Sequence, residues 1–371
     1  MSAGALARFG RVELVVEQLR RAVPGGIGTY ACGLLAGLAA IGAREPLRIE
    51  LYASRPPAQD PDPLERFGFA VRASALPGPL LTRLWDAGLR RAPAGASVVH
   101  AVSLAAPPSR APLSVAVHDL AWRSVPEAYP RHGRRWHEAA LRRAVRRAAL
   151  LVTPSEQVAA ALRASGLRVL AERVVVIEPG ADHLVAPDET AAELVLARLG
   201  VGGPFLLTVS TLEPRKNLDR LCAAYARVRR ELPEPWPLVV AGPAGWGSAL
   251  GPVPEGVVFA GRVGDAVLSA LYRRARLVAY VPLEEGYGLP VVEAMRAGVP
   301  VVATAVPAAG GAAREVAARD VDSIAAGLLA VGGDDAERDR LVAAGRARVA
   351  PLTWEAAASA HLAAWRALAG A

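Results

Sequence analysis

Short runs of valine, isoleucine and leucine, bounded by glycine and proline, alternate along this chain with longer stretches rich in alanine, leucine and arginine. The short runs have the length and composition of buried strands, and the longer stretches place apolar residues at helical spacing. A chain in which strands and helices alternate in this way folds as parallel sheets covered by helices. The sequence therefore predicts an α/β fold throughout.

The predicted strands fall into two series, separated by Glu178–Pro187, a segment with two prolines and a glycine that we interpret as a linker. The first series comprises Val12–Val16, Arg48–Ala53, Ser97–Ala101, Leu113–Val117, Leu150–Thr153 and Val174–Ile177. The second comprises Phe205–Val209, Leu238–Ala241, Val257–Ala260, Leu277–Tyr280 and Val299–Ala303. A length of 371 residues also suits two domains.

Each series predicts one Rossmann-like domain, the first over residues 1–183 and the second over residues 184–352. The remaining residues, 353–371, contain a predicted helix from Trp354 to Leu368 that we expect to pack back on the first domain. Two such domains place a cleft between the carboxyl ends of both sheets, where ligands of open α/β sheets bind. Functional residues should therefore follow strands directly.

The chain is basic, with a formal charge of +8 and an isoelectric point near 10.1. This charge favours a partner that carries phosphate, whether nucleic acid, anionic lipid or a sugar nucleotide. Much of it lies in the predicted helix Arg134–Ala148, which has the pattern of a basic amphipathic helix with Trp136 inside. Two interpretations of this helix stay open, a solvated face and weak docking to an anionic membrane.

No apolar run approaches the roughly 20 residues that span a bilayer, and Met1–Arg11 lacks the apolar core of a signal peptide. The two cysteines, Cys32 and Cys222, fall inside predicted helices without a CxxC motif or histidines at metal spacing. We interpret both as buried apolar residues. Together these features predict a cytoplasmic protein, either free or peripheral on the inner face of the membrane.

The predicted strand Phe205–Val209 is followed by Arg215 and Lys216, just before a helix for which Asn217 is a suitable N-cap residue. Two cations at a helix N-terminus form an anion site, because free backbone N–H groups and the helix dipole add to their charge. Lys216 is the only lysine in a chain that otherwise uses arginine. A compact ammonium binds ligands differently from a planar guanidinium. The single lysine therefore favours a specific contact between Lys216 and a ligand such as a diphosphate, rather than a basic loop that is merely solvated.

A glycine-rich segment, Glu284–Arg296, follows the predicted strand Leu277–Tyr280. Its glycines permit close approach of the backbone to a ligand, and Pro290 suits the start of a helix. Glu285 is then predicted in the loop and Glu293 in the first turn of that helix. Both carboxylates can accept hydrogen bonds from vicinal hydroxyls of a sugar or a ribose. Glu293 can equally be a favourable charge at a helix N-terminus.

The stretch Glu285-Gly-Tyr-Gly-Leu-Pro-Val-Val-Glu293 resembles the E-x7-E signature of retaining glycosyltransferases of the GT-B fold, in particular family 4. Arg215-Lys216, in its Thr-Leu-Glu-Pro-Arg-Lys-Asn-Leu context, is similar to the diphosphate-binding pair of that family. Further matches occur in family order along the chain: Gly25-Gly-Ile-Gly-Thr-Tyr30, Val117-His-Asp-Leu-Ala-Trp122, Thr153-Pro-Ser155, Ala241-Gly-Pro243, Phe259-Ala-Gly-Arg-Val263 and Ala297-Gly-Val-Pro-Val-Val302.

This resemblance implies a hexosyl transfer from a nucleoside-diphosphate sugar, used as co-substrate, to a hydroxyl of a glycan, lipid-linked or small-molecule acceptor, without a metal or other cofactor. Arg215 and Lys216 would neutralise the diphosphate, Glu293 would hold the ribose, and Glu285 would hold a hydroxyl of the sugar. The resemblance also implies that the backbone amides around Tyr287, Gly288 and Leu289 contact the sugar and the phosphate. Arg262 and Val263 would lie beside the base. Gly25 and Gly26 would approach the phosphates from the first domain.

His118 follows the predicted strand Leu113–Val117, where it could act as a general base, contact substrate or simply cap the strand. The resemblance favours contact with substrate on the acceptor side. The segments His118–Trp122 and Pro126–Pro130 resemble the mannosyltransferase-like branch, which makes GDP-mannose the first expectation for the donor. After Thr304 the chain departs from the family, because a loop that usually ends in Pro-Glu is several residues shorter here.

Other functions compete with this interpretation. A nucleotide-sugar epimerase lacks this E-x7-E context, and a glycogen-type phosphorylase needs a pyridoxal lysine, whereas the sole lysine is already assigned. A non-enzymatic protein that binds nucleic acid or a membrane surface would explain the basic charge. Aromatic residues are sparse, however, and no RNA- or DNA-binding motif appears, so we expect no nucleic-acid partner.

Overall fold

The computed structural model describes residues 10–56, 62–232, 236–246 and 251–370. Its strands, in chain order, are β1 Val12–Val15, β2 Ile49–Ala53, β3 Ala70–Ala73, β4 Val98–Ala101, β5 Leu113–Ala116, β6 Leu150–Thr153, β7 Val174–Val176, β8 Leu206–Val209, β9 Leu238–Ala241, β10 Val257–Gly261, β11 Leu277–Tyr280, β12 Val301–Ala303 and β13 Arg314–Glu315. Its helices are α1 Gly25–Gly42, α2 Gly78–Asp86, α3 Ala121–Ser124, α4 Arg131–Arg147, α5 Glu156–Arg163, α6 Glu189–Arg198, α7 Leu218–Val228, α8 Asp265–Arg274, α9 Leu289–Arg296, α10 Val321–Gly333, α11 Asp335–Val349 and α12 Trp354–Ala369.

The chain divides into two compact units. Unit 1 contains the chain up to Leu120, Arg131–Gly180 and the chain from Thr353, and unit 2 contains Ala121–Pro130 and Ala181–Leu352. The observed division after Gly180 lies three residues before the predicted one at 183. The inclusion of residues 121–130 in unit 2 has no counterpart in the sequence prediction, because tertiary packing alone assigns so short a segment.

Unit 1 is built on a parallel sheet with the strand order β3-β2-β1-β4-β5-β6-β7. Every strand predicted in the first series is present, with ends that differ by at most one residue. The prediction missed β3, whose residues Ala70–Ala73 are partly exposed at the edge of the sheet. A strand with so few buried apolar residues carries little of the hydrophobic pattern on which the prediction rests.

Helix α12 packs against α1 in unit 1 through two glycines. A Cβ atom on Gly33 would lie 2.0 Å from the Trp354 ring, and one on Gly37 would lie 2.1 Å from the Trp354 backbone oxygen. The two helix backbones approach closely only because these positions lack side chains. Trp354 and Trp365 of α12 are buried in the same core as α1 and the central strands.

Unit 2 contains a second parallel sheet with the order β10-β9-β8-β11-β12-β13. The strands predicted in the second series are all present, whereas the two-residue strand β13 was not predicted. Apolar clusters cover both faces of this sheet, one packed around Tyr272 and Val291 and the other around Tyr225 and Leu328. The predicted α/β fold with two Rossmann-like sheets is therefore confirmed.

Two smaller predictions are corrected. Cys222 is buried, but Cys32 is partly exposed, and its sulfur accepts a hydrogen bond from the Arg66 guanidinium at 3.1 Å. Among the described helices, α1 alone is long and apolar enough to cross a membrane, by length and composition, and half of it is buried within the structure. The predicted basic helix is α4, in which Trp136 Nε1 donates to Asp86 Oδ2 at 2.9 Å.

Candidate functional site

The loops that follow β8 and β11 lie side by side in unit 2 because these two strands are neighbours in the sheet. The first loop ends in a 3-10 turn, Pro214–Lys216, and the amide of Leu283 in the second loop donates to the Arg215 carbonyl at 2.9 Å. Parallel strands present their carboxyl ends at the same edge, so side chains distant in sequence meet here.

Asn217, the only asparagine in the sequence, fixes the turn that presents Arg215 and Lys216. It occupies the predicted N-cap position of α7, but in the left-handed conformation, with φ of 61°. Its side chain does not cap the helix. Instead its Nδ2 donates to the carbonyl of Val281 at 2.9 Å and to that of Ala318 at 2.7 Å, so this buried amide ties the turn to two neighbouring loops.

Lys216, Glu285 and Tyr280 form the centre of the cluster. The Lys216 ammonium donates to Glu285 Oε2 at 2.6 Å and to the Tyr280 hydroxyl at 2.8 Å. Tyr280, the last residue of β11, donates in turn to Glu285 Oε2 at 2.6 Å. Lys216 and Glu285 expose only 12% and 13% of their side chains, so the three groups form a compact, nearly dry network.

Arg215 extends this network on one side. Its guanidinium lies 3.0 Å from Glu285 Oε2 and 2.9 Å from Glu213 Oε1, and it also donates to the Glu284 carbonyl. The cluster therefore holds two cations against two carboxylates. These carboxylates accept from the same donors that an anionic ligand would need.

The electrostatics of the cluster follow from burial and pairing. Burial alone would raise the pKa of Glu285, but the charges of Lys216 and Arg215 outweigh it and hold that pKa well below its usual range. Burial raises the pKa of Glu213, and the attraction of Arg215 only partly offsets this. Burial, reinforced by the charge of Arg215, lowers the pKa of Lys216.

Glu293 lies in α9 with two polar partners of its own. Tyr272 donates to Glu293 Oε2 at 2.6 Å, and His183 Nε2 lies 2.8 Å from Glu293 Oε1. Glu293 is the fifth residue of α9 and so belongs to its second turn, not the first turn that the sequence predicted, because the helix already begins at Leu289. Burial raises the pKa of Tyr272 well above its usual range, and the charge of Glu293 adds to this effect.

The start of α9 presents the predicted backbone contacts Tyr287, Gly288 and Leu289. Gly288 has a left-handed φ of 107°, and a Cβ there would lie 3.3 Å from the Val306 side chain. The Tyr287 carbonyl accepts from the Ala308 amide at 2.9 Å. The loop after Thr304 therefore packs directly against the turn that begins α9.

Arg262 and Val263 follow β10, two strands away from β8 in the sheet. Arg262 is exposed, while Val263 packs against the apolar cluster of the unit. Both lie at the same carboxyl edge as the cluster around Lys216 but outside its hydrogen-bond network. Their predicted contact with a base stays a prediction.

Gly25, Gly26 and His118 belong to unit 1. Gly25, with a φ of +61°, and Gly26 begin α1, and a Cβ on either would meet no atom within 4 Å. His118 Nε2 lies 2.8 Å from the Val102 carbonyl, so this nitrogen carries the proton and Nδ1 carries the lone pair. Burial lowers the pKa of His118, and its ring packs edge-on against Tyr30 with centroids 4.7 Å apart.

Four residues of these networks were not singled out from the sequence: Glu213, Tyr280, Tyr272 and His183. Glu213 stands two residues before Arg215, and Tyr280 ends a predicted strand, so position offered a weak signal for these two. Tyr272 reaches Glu293 from α8, and His183 reaches it from the segment between the two predicted domains. No local sequence pattern indicates either contact. Among the described residues, no group of three or more histidine, cysteine, aspartate and glutamate side chains could hold a metal ion.

Two family models match this chain in consecutive parts. The model described as Glycosyltransferase Family 4 matches residues 24–184, and the model described as Glycosyl transferases group 1 matches residues 203–357. The chain belongs to the family 4 glycosyltransferases. The second match contains Arg215, Lys216, Glu285 and Glu293, and the first contains Gly25, Gly26 and His118.

Proteins similar to this chain include bacterial mannosyltransferases. The chain is 32% identical to O-antigen chain mannosyltransferase B of Escherichia coli over 255 residues, which cover 64% of this chain and 66% of that protein. It is 34% identical to a D-inositol 3-phosphate glycosyltransferase of Segniliparus rotundus over 53% of this chain and 47% of that protein. The chain thus spans about two thirds or less of the curated relatives that it matches.

Solved structures share the fold over nearly the whole length. A sucrose-phosphate synthase from Thermosynechococcus elongatus aligns with a TM-score of 0.73 at 20% identity, covering 97% of this chain and 99% of that one. HepE of Anabaena, solved in complex with UDP-glucose, aligns with a TM-score of 0.71 at 19% identity, covering 96% and 100%. The two α/β units of this family 4 chain therefore have the GT-B fold.

Proposed function

We propose that this protein is a retaining glycosyltransferase that transfers a hexosyl group from a nucleoside-diphosphate sugar to a hydroxyl acceptor. The observation that carries the proposal is the convergence of Lys216, Arg215 and Glu285 at the carboxyl ends of two neighbouring parallel strands. Two nearly buried cations suit a diphosphate, and an acceptor-only carboxylate beside them suits a sugar hydroxyl.

In the proposed reaction the bond between the sugar C1 and the diphosphate oxygen breaks, and the nucleoside diphosphate leaves with the electron pair. The acceptor oxygen forms the new bond to C1 on the same face, and its proton passes to the leaving phosphate. Lys216 and Arg215 stabilise the negative charge that develops on the leaving group, which is the largest electrostatic change in the reaction. Fixed cations perform this task without a metal.

Donor binding requires the cluster to exchange partners. Because Glu285 accepts hydrogen bonds from both cations, an incoming diphosphate competes with it for their donors. Glu285 is then released to accept from a hydroxyl of the transferred sugar. Glu293, held by Tyr272 and His183, is placed by separate partners and suits the ribose.

GDP-mannose is the donor that we propose first. The support comes from the mannosyltransferase relatives and from the mannosyltransferase-like segments after His118. HepE was solved with UDP-glucose, so a UDP-sugar is the competing donor. We propose a glycan, lipid-linked or small-molecule acceptor and a cytoplasmic location, with α4 as the surface that contacts an anionic membrane.

A thermal-shift panel of nucleoside diphosphates and nucleotide sugars tests the proposal, followed by a transfer assay with GDP-mannose. We expect GDP to raise the melting temperature at moderate salt and GDP-mannose to be hydrolysed or transferred. A basic protein that merely binds nucleic acid would instead be retained on DNA at low salt and lose that binding as salt rises. If none of the nucleotides raises the melting temperature and the protein is retained on DNA, the proposal that it is an enzyme is refuted.

A further inference from the structure

Unit 1 has a concave surface of its own on one face of its sheet, which we call the β2–β3 pocket. It encloses about 530 Å³ between these two strands and the loop that follows α2. The strands contribute Tyr52, Arg72 and Ser74, and the loop contributes Leu89, Arg90 and Arg91. None of the residues assigned to the donor site lines it.

The charge of the β2–β3 pocket is positive. Among the described residues that line it, three are arginines and none is an aspartate or a glutamate. Glu50, just outside the lining, forms an ion pair with Arg72, in which the Glu50 Oε2 and Arg72 Nη2 atoms lie 3.0 Å apart, and so favours that position of the guanidinium. Arg90 and Arg91 are exposed, and among the described residues neither side chain has an ion-pair or hydrogen-bond partner, which leaves their donors available to a ligand.

The floor of the β2–β3 pocket contains a polar group that lacks a partner. Tyr52 is only 2% exposed, and within the described part of the chain its hydroxyl has no hydrogen-bond partner. Because buried polar groups are normally hydrogen-bonded, this phenol indicates that a hydrogen-bonding partner belongs at this place.

We propose that the β2–β3 pocket binds an organic phosphate ester, with the phosphate held by Arg72, Arg90 and Arg91. A planar guanidinium binds phosphate oxygens in a bidentate manner, and a phenol can donate to the same group or to its ester oxygen. The volume exceeds that of a phosphate ion and falls in the usual range for small-molecule sites. Leu89, 77% exposed at the rim, offers an apolar contact to the organic part.

Calorimetry with phenyl phosphate, and with inorganic phosphate as the second arm, tests this assignment at low salt. The natural protein should bind one equivalent of phenyl phosphate in the β2–β3 pocket, more tightly than inorganic phosphate because of Leu89. The double variant Arg90→Ala/Arg91→Ala should bind about tenfold or more weakly, since each lost pairing is charge-assisted. Tyr52→Phe, which keeps the ring, should weaken binding by a smaller factor.

Two controls separate this site from the donor site. Arg83→Ala removes an exposed arginine of α2 that does not line the pocket, and it should leave the affinity unchanged. Lys216→Ala should also keep phenyl phosphate binding, whether or not it alters nucleotide binding. If Lys216→Ala loses phenyl phosphate while the double variant keeps it, the ligand binds in unit 2 and the proposal fails. No binding by the natural protein, or tighter binding of inorganic phosphate, would overturn it as well.

Discussion

Lys216 Nζ lies 2.6 Å from Glu285 Oε2, although 69 residues separate the two in the sequence. This contact pairs the only lysine of the chain with the first glutamate of its E-x7-E segment. The ammonium of Lys216 is therefore already paired with a protein carboxylate. Under the proposed function, donor binding is an exchange of anions on Lys216 rather than a simple capture by free cations.

Lys216 can be observed on its own because it is the only lysine. Reductive methylation with ¹³C-formaldehyde should give a single ε-dimethyl-lysine resonance, and GDP should shift it as a diphosphate replaces Glu285. Lys216→Ala should weaken GDP binding by about tenfold or more, since a charge-assisted contact is lost. Lys216→Arg is the matched variant and should restore part of the affinity. A resonance that does not respond to saturating GDP would contradict the assignment.

Glu285→Gln should separate nucleotide binding from transfer. Removing the carboxylate charge frees Lys216 and leaves Arg215 paired with Glu213 alone, so GDP should bind as tightly as before or more tightly, because its main competitor is gone. Transfer should fall by about a hundredfold, as is typical when one oriented polar contact to the reacting group is lost. Calorimetry and initial rates provide the two measurements. If GDP affinity and the transfer rate fell together, Glu285 would not act on the transferred sugar separately from nucleotide binding.

Tyr280→Phe and Tyr272→Phe form a matched pair, because each removes one hydroxyl that donates to one glutamate at 2.6 Å. Tyr280→Phe should lower the transfer rate about tenfold, since Glu285 and Lys216 lose a shared partner. Tyr272→Phe should chiefly weaken nucleotide binding through Glu293. Measuring both the kcat of transfer and the dissociation constant of GDP for each variant checks this prediction. Identical profiles for the two variants would argue against separate sugar and ribose sites.

Gly37→Ala should destabilise unit 1 by about 2 kcal/mol or more, because its Cβ would lie 2.1 Å from the backbone oxygen of Trp354. Gly42→Ala, at the end of the same helix, is the control. There a Cβ would meet only Leu47, at 3.9 Å, and alanine is the better helix former. Denaturant unfolding compares the two. Equal stabilities would show that α12 is not tightly packed on α1.

Glu13 predicts a pH effect on stability. It is fully buried on β1, neither carboxylate oxygen is hydrogen-bonded within the described residues, and burial, with the nearby charge of Glu50, raises its pKa from 4.5 to about 7. Below pH 4.5 both folded and unfolded states hold the proton, so Glu13 costs nothing. Between pH 4.5 and 7 the unfolded state releases it first, so stability falls as pH rises.

Glu13→Gln removes this cost. The variant should be more stable than the natural protein by about 1 to 3 kcal/mol at pH 8, and the difference should shrink towards pH 5. Thermal unfolding at the two pH values measures it. Glu50→Gln is a less suitable replacement, because it would break close ion pairs with Arg11 at 2.7 Å and Arg72 at 3.0 Å, whereas Glu13 has one longer pair, with Arg11 at 3.6 Å. An advantage that grows as pH falls would contradict the predicted sign.

The sequence predicted most of the fold because its signal is local. The apolar runs at Leu150–Thr153, Leu238–Ala241 and Leu277–Tyr280 coincide with observed strands, since buried parallel strands must be continuously apolar. The same logic missed β3 and β13, which lie at sheet edges and bury little. It also missed the assignment of residues 121–130 to unit 2, which depends on packing between distant segments.

The sequence by itself determined the α/β class and the family, because order and spacing along the chain carry that information, and it predicted Arg215, Lys216, Glu285 and Glu293 as candidates for one site. Only the tertiary structure decided that Glu285 pairs with Lys216 and Arg215, while Glu293 pairs with Tyr272 and His183. Spacing in a sequence cannot specify which polar groups share a dry volume, whereas the alignment of β8 beside β11 does so by bringing two distant loops to one edge.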